Sequence, residues 1–206
     1  MRVLIVSEGR SEYLDALSTH RSADKQEAGA LKTLVSRLLQ DASKWQIEED
    51  RVSSPNVRSH HGKGRGYAKR CIRWLLEAER RGFDAVVMLV DRDGLETRQA
   101  EVNEAQETAL TTIRRALGVA VESFDAWMLA DHAALTKVLG FTVQRQPDPE
   151  KQSDAKGMCR DLFAQAATSE THSKRYAAIS AIANLDELLA RCPNGFTPFA
   201  ERIRSL

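Results

Sequence analysis

Carboxylates follow three apolar runs of this sequence, at positions where they could take part in chemistry. Glu8 follows "VLIVS", Asp91 and Asp93 follow "AVVMLV", and Glu122 follows "VAV". Unbroken aliphatic runs are typical of strands that are covered on both faces. In a parallel sheet the carboxyl ends of the strands lie at one edge, where ligands usually bind. Because residues two apart in an extended segment point to the same side, we expect Asp91 and Asp93 to converge there.

Carboxylates that crowd together repel one another unless a cation neutralises them. Oxygen ligands of this kind suit a hard divalent ion, Mg²⁺ or Mn²⁺. We therefore predict a metal site formed by Glu8, Glu12, Asp91, Asp93 and Glu122. Two simpler interpretations stay open: "DRDG" is also a good turn sequence, and Glu8 and Glu12 could each stabilise the N-terminus of a following helix.

A basic segment, "VRSHHGKGRGYAKR", interrupts the pattern of strands and helices and has no periodicity of its own. Its glycines would let backbone N–H groups approach phosphates, and its cations would attract a polyanion. The segment lacks the Gly-Lys-Ser/Thr ending of a P-loop, and a solvated loop without a ligand is the alternative. We assign nucleic-acid contacts to the following basic residues: Arg10, Arg58, Lys63, Arg65, Lys69 and Arg70.

Composition limits the class of protein. The chain has 206 residues and a net charge of +1, so a nucleic-acid contact requires a local basic patch. Its three cysteines lie far apart, which argues against a zinc site or a disulfide framework and favours a reducing cytoplasm. No apolar run approaches the roughly 20 residues that span a bilayer, so we expect no membrane partner.

Strand and helix patterns alternate along the first two thirds of the chain. Strands are predicted at 2–7, 45–52, 84–90 and 119–123, with the second at an edge, and helices at 25–42, 67–82, 95–118 and 124–140. This order predicts an α/β fold with a mainly parallel sheet and helices on both faces. Helical stretches near 154–168, 174–190 and 196–205 follow. We predict an α/β domain over 1–140 and a helical C-terminal extension over 141–206 that packs on it.

Two segments resemble the metal motifs of the Toprim superfamily, a glutamate after the first strand and an Asp-x-Asp after a later one: "VSEGRSE" and "VDRDG". "VESFDAWMLAD" and "AKGMCRDLF…RCPNGFTPF" extend the resemblance over nearly the whole chain, to a small bacterial Toprim-like family called domain of unknown function 4276. The chain departs from that family at Asp125, where a glutamate is common, and at Ala155-Lys156, where Pro-Lys is common.

The resemblance implies a Toprim-like, Rossmann-like fold and Mg²⁺-dependent cleavage of phosphodiester bonds in DNA or in RNA such as tRNA. It implies that Asp91 and Asp93 hold the ion, that Glu8 is a ligand or general acid/base, and that Glu12 is a second ligand. By the same resemblance Lys156 would stabilise charge on the scissile phosphate. Glu122 is added from its strand-end position alone.

The family also implies partners. Its members are often encoded beside an ATPase in anti-phage defence loci, so the resemblance implies an ABC- or AAA-type ATPase partner and a role as nuclease effector. A homodimer is expected only because symmetric dimers are common. Two alternatives stay open, a non-catalytic subunit of an ATPase complex and a small-nucleotide phosphohydrolase. All four motif acids are present, which favours an active site, and the basic loop favours a polymer.

Overall fold

Four parallel strands form one sheet, in the order β2-β1-β3-β4, in a computed structural model that describes residues 1–8, 29–52, 66–167 and 170–206. The strands are β1 Arg2–Ser7, β2 Gln46–Arg51, β3 Ala85–Asp91 and β4 Arg114–Ala120. All three neighbouring pairs are parallel. The predicted α/β class is therefore confirmed, and β2 lies at an edge as expected.

Nine α-helices are present in the described residues, and none of these is long and apolar enough to cross a membrane. They are α1 Ala30–Leu38, α2 Gly66–Arg80, α3 Thr97–Gln106, α4 Phe124–Ala130, α5 His132–Leu139, α6 Ala155–Gln165, α7 His172–Ile182, α8 Leu185–Arg191 and α9 Phe196–Arg204.

Successive residues of the two central strands serve opposite faces of the sheet, as the pleat requires. Leu4 and Val86 pack with apolar residues of α2 and α3 on one face. Ile5 and Val87 pack with α1 and with the helices of the second half of the chain on the other. Both faces are covered by helices, which explains why β1 and β3 are unbroken apolar runs.

The predicted helix over 95–118 is wrong. Helix α3 ends at Gln106, and the chain returns to the sheet as β4, which pairs with β3 from Ala85↔Arg114 to Asp91↔Ala120. Gly118 therefore ends no helix but lies inside a strand. A Cβ atom at this position would stand 2.4 Å from Cδ2 of Phe199, so only glycine lets α9 pack this closely on β4.

The predicted helix over 124–140 is divided at Asp131. This side chain caps α5, because its Oδ1 accepts hydrogen bonds from the N–H groups of Ala133 and Ala134, both at 3.0 Å. Its Oδ2 accepts from the N–H of Asn184 at 2.7 Å, at the start of α8. The predicted stretch at 174–190 is likewise two helices, α7 and α8.

Helices after residue 140 cover one face of the sheet. Helix α7 packs on α1, and α9 packs on β4. Trp127 of α4 lies between two rings of α9, with centroid distances of 5.1 Å to Phe196 and 5.6 Å to Phe199. These contacts belong to the same apolar cluster as Ile5 and Val87 of the central strands.

Candidate functional site

Three of the predicted acids meet at the carboxyl end of the sheet. Glu8 directly follows β1, and Asp91 is the last residue of β3, its neighbour in the sheet. Arg98 of α3 joins them: its Nη1 lies 3.4 Å from Glu8 Oε2 and 3.1 Å from Asp93 Oδ2. The same nitrogen donates a hydrogen bond to the backbone carbonyl of Asp91. One buried guanidinium therefore holds groups from all three acidic residues.

Asp93 reaches this point from a turn and not from an extended segment. Strand β3 ends at Asp91, and Asp93 has φ +50°, followed by Gly94 at φ +69°. The N–H of Asp93 donates to the carbonyl of Glu122 at 3.1 Å, and Glu122 itself has φ +61°. Left-handed backbone at a non-glycine residue costs on the order of 1 kcal/mol. The turn interpretation of "DRDG" thus describes the backbone, while Arg98 accounts for the convergence of the acids.

The Asp91 carboxyl has a strongly raised pKa. Its Oδ1 accepts a hydrogen bond of 2.8 Å from the N–H of Phe124, the first residue of α4. Burial is the main cause that raises the pKa of the Asp91 carboxyl to about 7; the bond from Phe124 opposes this shift, and the nearby carboxylates of Asp125, Asp93 and Glu8 contribute to it. A buried carboxylate surrounded by three others is the arrangement that a cation would stabilise most.

Glu8 is fixed from its other side by Tyr67, in the first turn of α2. The Tyr67 hydroxyl donates to Glu8 Oε1, and burial together with this bond raises the pKa of the phenol, so that it stays a donor. Two arginines flank the Tyr67 ring, with Cζ of Arg98 4.3 Å and Cζ of Arg70 4.9 Å from its centroid. Arg70, predicted to bind nucleic acid, therefore lies beside the acids, with Lys69 next to it on α2.

Asp125 joins this edge to the C-terminal helices. The hydroxyl of Tyr176, a buried residue of α7, donates to Asp125 Oδ1. The Sγ of Cys159 in α6 lies 3.7 Å from the Asp125 carbonyl oxygen. Because α4 begins directly after β4, Asp125 lies close enough to Asp91 to raise its pKa. The side chain was noted in the sequence only as a departure from a family pattern.

Two further predicted residues, Glu122 and Lys156, lie in the described chain. Glu122 forms an ion pair with Arg92 at the same edge. Lys156 is exposed in the first turn of α6, and within the described chain it pairs with no acid. Outside the described residues lie Arg10, Glu12, Arg58, Lys63 and Arg65.

Sequence reasoning missed Arg98 and Tyr67. Each is a single polar residue on a helix, and nothing in the local pattern distinguishes it from a solvated one. The one available signal was the side-chain chemistry, since an arginine a few residues after an Asp-x-Asp can pair with it. That signal is weak, because charged residues make up 29% of the chain.

The donor set fits a hard divalent ion in its chemistry. Glu8, Asp91 and Asp93 supply oxygens alone, and the Arg98 guanidinium shows that Glu8 and Asp93 can share one positive charge. Within the described residues, no three Asp, Glu, His or Cys side chains already stand as a finished metal site. Glu12, the fourth acid of the motifs, lies outside them.

Fold and site together define an α/β protein with an acidic site at the carboxyl end of its parallel sheet. Comparisons of the chain with models of protein families, with curated proteins and with solved structures find no match. The resemblance to the Toprim-like family stays a prediction, and the case for a function depends on the geometry of this edge.

Proposed function

We propose that the protein is a Toprim-like, divalent-metal-dependent endonuclease that cleaves phosphodiester bonds in DNA or RNA. In this proposal it works in the cytoplasm as the effector of an ATPase-linked anti-phage defence system. One observation carries the proposal: Glu8 and Asp93 share the buried Arg98 cation, which also donates to the backbone carbonyl of Asp91, at the edge where parallel sheets bind ligands.

Glu8, Asp91 and Asp93 would hold Mg²⁺ or Mn²⁺. When bound, such an ion orients a phosphate, activates a water and stabilises a leaving oxygen. The chain itself contributes preorganisation. Tyr67 and Arg98 hold the two oxygens of Glu8, and the N–H of Phe124 holds Asp91. Ligands that are fixed before binding lose little conformational entropy when the ion and the substrate arrive.

The basic start of α2 supports a polyanionic substrate. Arg70 is exposed, and it contacts Tyr67, whose hydroxyl reaches Glu8. Lys69 adds a second cation on the same turn of the helix. Cations at this distance from a cluster of acids would hold flanking phosphates while the acids, once neutralised, receive the scissile one.

A second candidate is a non-catalytic subunit of an ATPase complex, in which the acids are structural. The Arg98 guanidinium favours it, because it already provides Glu8 and Asp93 with a counter-charge inside the protein. In this alternative Arg98 would complete the site, and no ion would bind with useful affinity.

Calorimetric titration with Mn²⁺ and Mg²⁺ distinguishes the two. Wild type is compared with Asp91→Ala/Asp93→Ala and with Glu104→Ala, an exposed acid of α3 that serves as the matched control. Cleavage of plasmid DNA and of total tRNA is followed in the same buffer. We expect binding and cleavage in wild type and Glu104→Ala, and neither in the double variant. A wild type that binds no metal would overturn the proposal and favour the structural role.

A further inference from the structure

A cleft of about 790 Å³ opens beside the acidic edge. Arg92 and Glu122, which follow β3 and β4, form one wall, and Asn194, just before α9, contributes to the other. Because Arg92 lies between Asp91 and Asp93 in the chain, the cleft begins where the candidate metal site ends. We propose that this cleft receives the base and sugar of one unpaired nucleotide adjoining the scissile phosphate, so that the substrate is single-stranded nucleic acid. The inference rests on the proposed nuclease function and specifies its substrate.

The size of the cleft suits one nucleotide. Sites for small organic ligands commonly have volumes of roughly 300 to 1,000 Å³, and this cleft lies within that range. A base inside a duplex can enter such a pocket only after it leaves the stack, which costs a few kcal/mol. A base that is already unpaired enters without that cost, so a single strand is favoured.

The charge of the lining disfavours phosphate. It carries four acids, Glu96, Glu122, Asp148 and Glu150, against three cations, Arg92, Lys151 and Arg191. Arg92 pairs with Glu122, Lys151 lies 3.6 Å from Asp148 at the surface, and Arg191 donates to the carbonyl of Ala130. The Nε of Arg92 is buried without a described partner. The described lining still has one more acid than cations, so it has no positive excess that would attract a phosphate group.

The lining instead offers acceptors for a neutral group. Glu150 uses its oxygens on the N–H groups of Asn194 and Gly195, but Glu96 is exposed and has no described partner. Carboxylate and amide oxygens accept hydrogen bonds from the amino groups of bases and from ribose hydroxyls. Exposed Pro193 adds an apolar surface against which a base can lie.

The two sides of the acidic edge thus differ in the part of a nucleotide that they suit. Arg70 contacts Tyr67, whose hydroxyl reaches Glu8 after β1, whereas the cleft lies beside Glu122, which follows β4. With the sheet order β2-β1-β3-β4, the acids that would hold the metal stand between a cationic flank and an acceptor-lined cleft. A single strand of nucleic acid that crosses this edge would place its phosphates over α2 and one nucleoside in the cleft.

The test obstructs the cleft without changing Glu8, Asp91 or Asp93. Glu96→Trp places a large side chain at an exposed position that makes no capping hydrogen bond, and Glu104→Trp makes the same change on the same helix away from the cleft. The probes are fluorescein-labelled oligocytidylate, whose bases carry amino groups, its deoxy counterpart and a blunt duplex with the same number of phosphates. Anisotropy is measured with Ca²⁺, so that binding is recorded without cleavage.

We expect wild type and Glu104→Trp to bind both single strands more tightly than the duplex. Glu96→Trp should weaken single-strand binding by about tenfold, within the range that loss of one base contact causes, and leave duplex binding unchanged. Tighter binding of either the ribose or the deoxyribose strand would assign the sugar and is consistent with the proposal.

Three results would overturn it. The first is equal affinity for single strands and duplex, and the second is single-strand binding that Glu96→Trp leaves unchanged. The third is tight binding of an oligolysine peptide that Glu96→Trp abolishes, which would make the cleft a protein-docking site. Failure of the nuclease function itself is recorded separately, as absence of metal binding in the calorimetry.

Discussion

The two ends of the parallel sheet differ in how their charged side chains are partnered. At the amino end each charge has its own partner: Nη2 of Arg2 lies 2.8 Å from Glu48 Oε1, and its backbone N–H donates to Asp84 at 2.6 Å. Arg114, which begins β4, donates to the carbonyl of Leu206 at 2.5 Å. These contacts connect strands, turns and the last residues of the chain. The two positive and two negative side chains that make them have no net charge.

At the carboxyl end several acids share one cation. Glu8 and Asp93 both contact Arg98, and Asp91 has a backbone N–H as its partner. The same chain therefore balances charge where only the fold is at stake and leaves an acidic excess at the ligand edge. Charge that is unfavourable for the isolated protein is a mark of a binding site.

The largest expected effect contrasts an acid from each end. Asp91→Ala should reduce metal-dependent cleavage to background, because the variant lacks one of the three carboxylates that would hold the ion. Asp84→Ala removes one hydrogen bond at the amino end, and we expect it to lower stability by about 1 kcal/mol and to leave cleavage unchanged. Nuclease assays with both variants check this, and equal activity in the two would contradict it.

Removing an arginine from each end sharpens the comparison. Arg98→Met leaves the acids without their shared cation, and we expect the free energy of unfolding to fall by about 2 to 3 kcal/mol. Arg2→Met breaks a more exposed pair and should cost no more than about 1 kcal/mol. Urea unfolding measures both. Added Mg²⁺ should raise the free energy of unfolding of Arg98→Met toward that of wild type. It should stabilise Arg2→Met by no more than it stabilises wild type.

The pKa of Asp91 gives the carboxyl end a pH dependence. A carboxyl whose pKa rises from 3.8 to about 7 on folding binds more protons in the folded state, so stability falls as pH rises between these values. Asp91→Asn keeps an acceptor for the Phe124 N–H but cannot ionise. We expect wild type and variant to unfold nearly alike near pH 4, and the variant to be more stable by up to about 4 kcal/mol near pH 8 in EDTA, since one pKa unit corresponds to about 1.4 kcal/mol. A constant difference between the two proteins across this range would contradict the assignment.

The smallest effect concerns the backbone of the turn. Asp93→Gly and Asp93→Ala remove the same carboxylate, but only glycine adopts φ +50° without strain. We expect the glycine variant to be more stable than the alanine variant by about 1 kcal/mol, while neither binds metal like wild type. Thermal unfolding of the pair measures this, and equal stability would show that the turn relaxes.

The sequence predicts the centre of the sheet better than its rim. β1 and β3 are long aliphatic runs because helices cover both of their faces, and such runs can be recognised locally. β4 begins with two arginines and contains Gly118, so its first half resembles the end of a polar helix. Its pairing with β3 and its contact with Phe199 determine the strand, and both are contacts between residues distant in sequence.

The candidate site likewise contains residues that the sequence predicts and residues that it does not. Topology alone predicts that Glu8 and Asp91 are neighbours, because both follow adjacent parallel strands. It does not predict Arg98 or Tyr67, since these side chains come from helices whose positions depend on packing over the whole domain. The position of Glu122 after a strand correctly predicts the edge of the sheet at which it lies. The backbone conformation of Glu122 and its ion pair with Arg92 then determine which side chains it contacts.

The contact between Trp127 and the two rings of α9 has a consequence for folding during synthesis on the ribosome. Trp127 needs Phe196 and Phe199, which are translated about seventy residues later, before its face of the sheet is closed. Synthesis of α4 and β4 therefore leaves an apolar surface open until α9 emerges. Exposed apolar surface of this kind is prone to aggregation, and slow translation between these elements would lengthen its exposure.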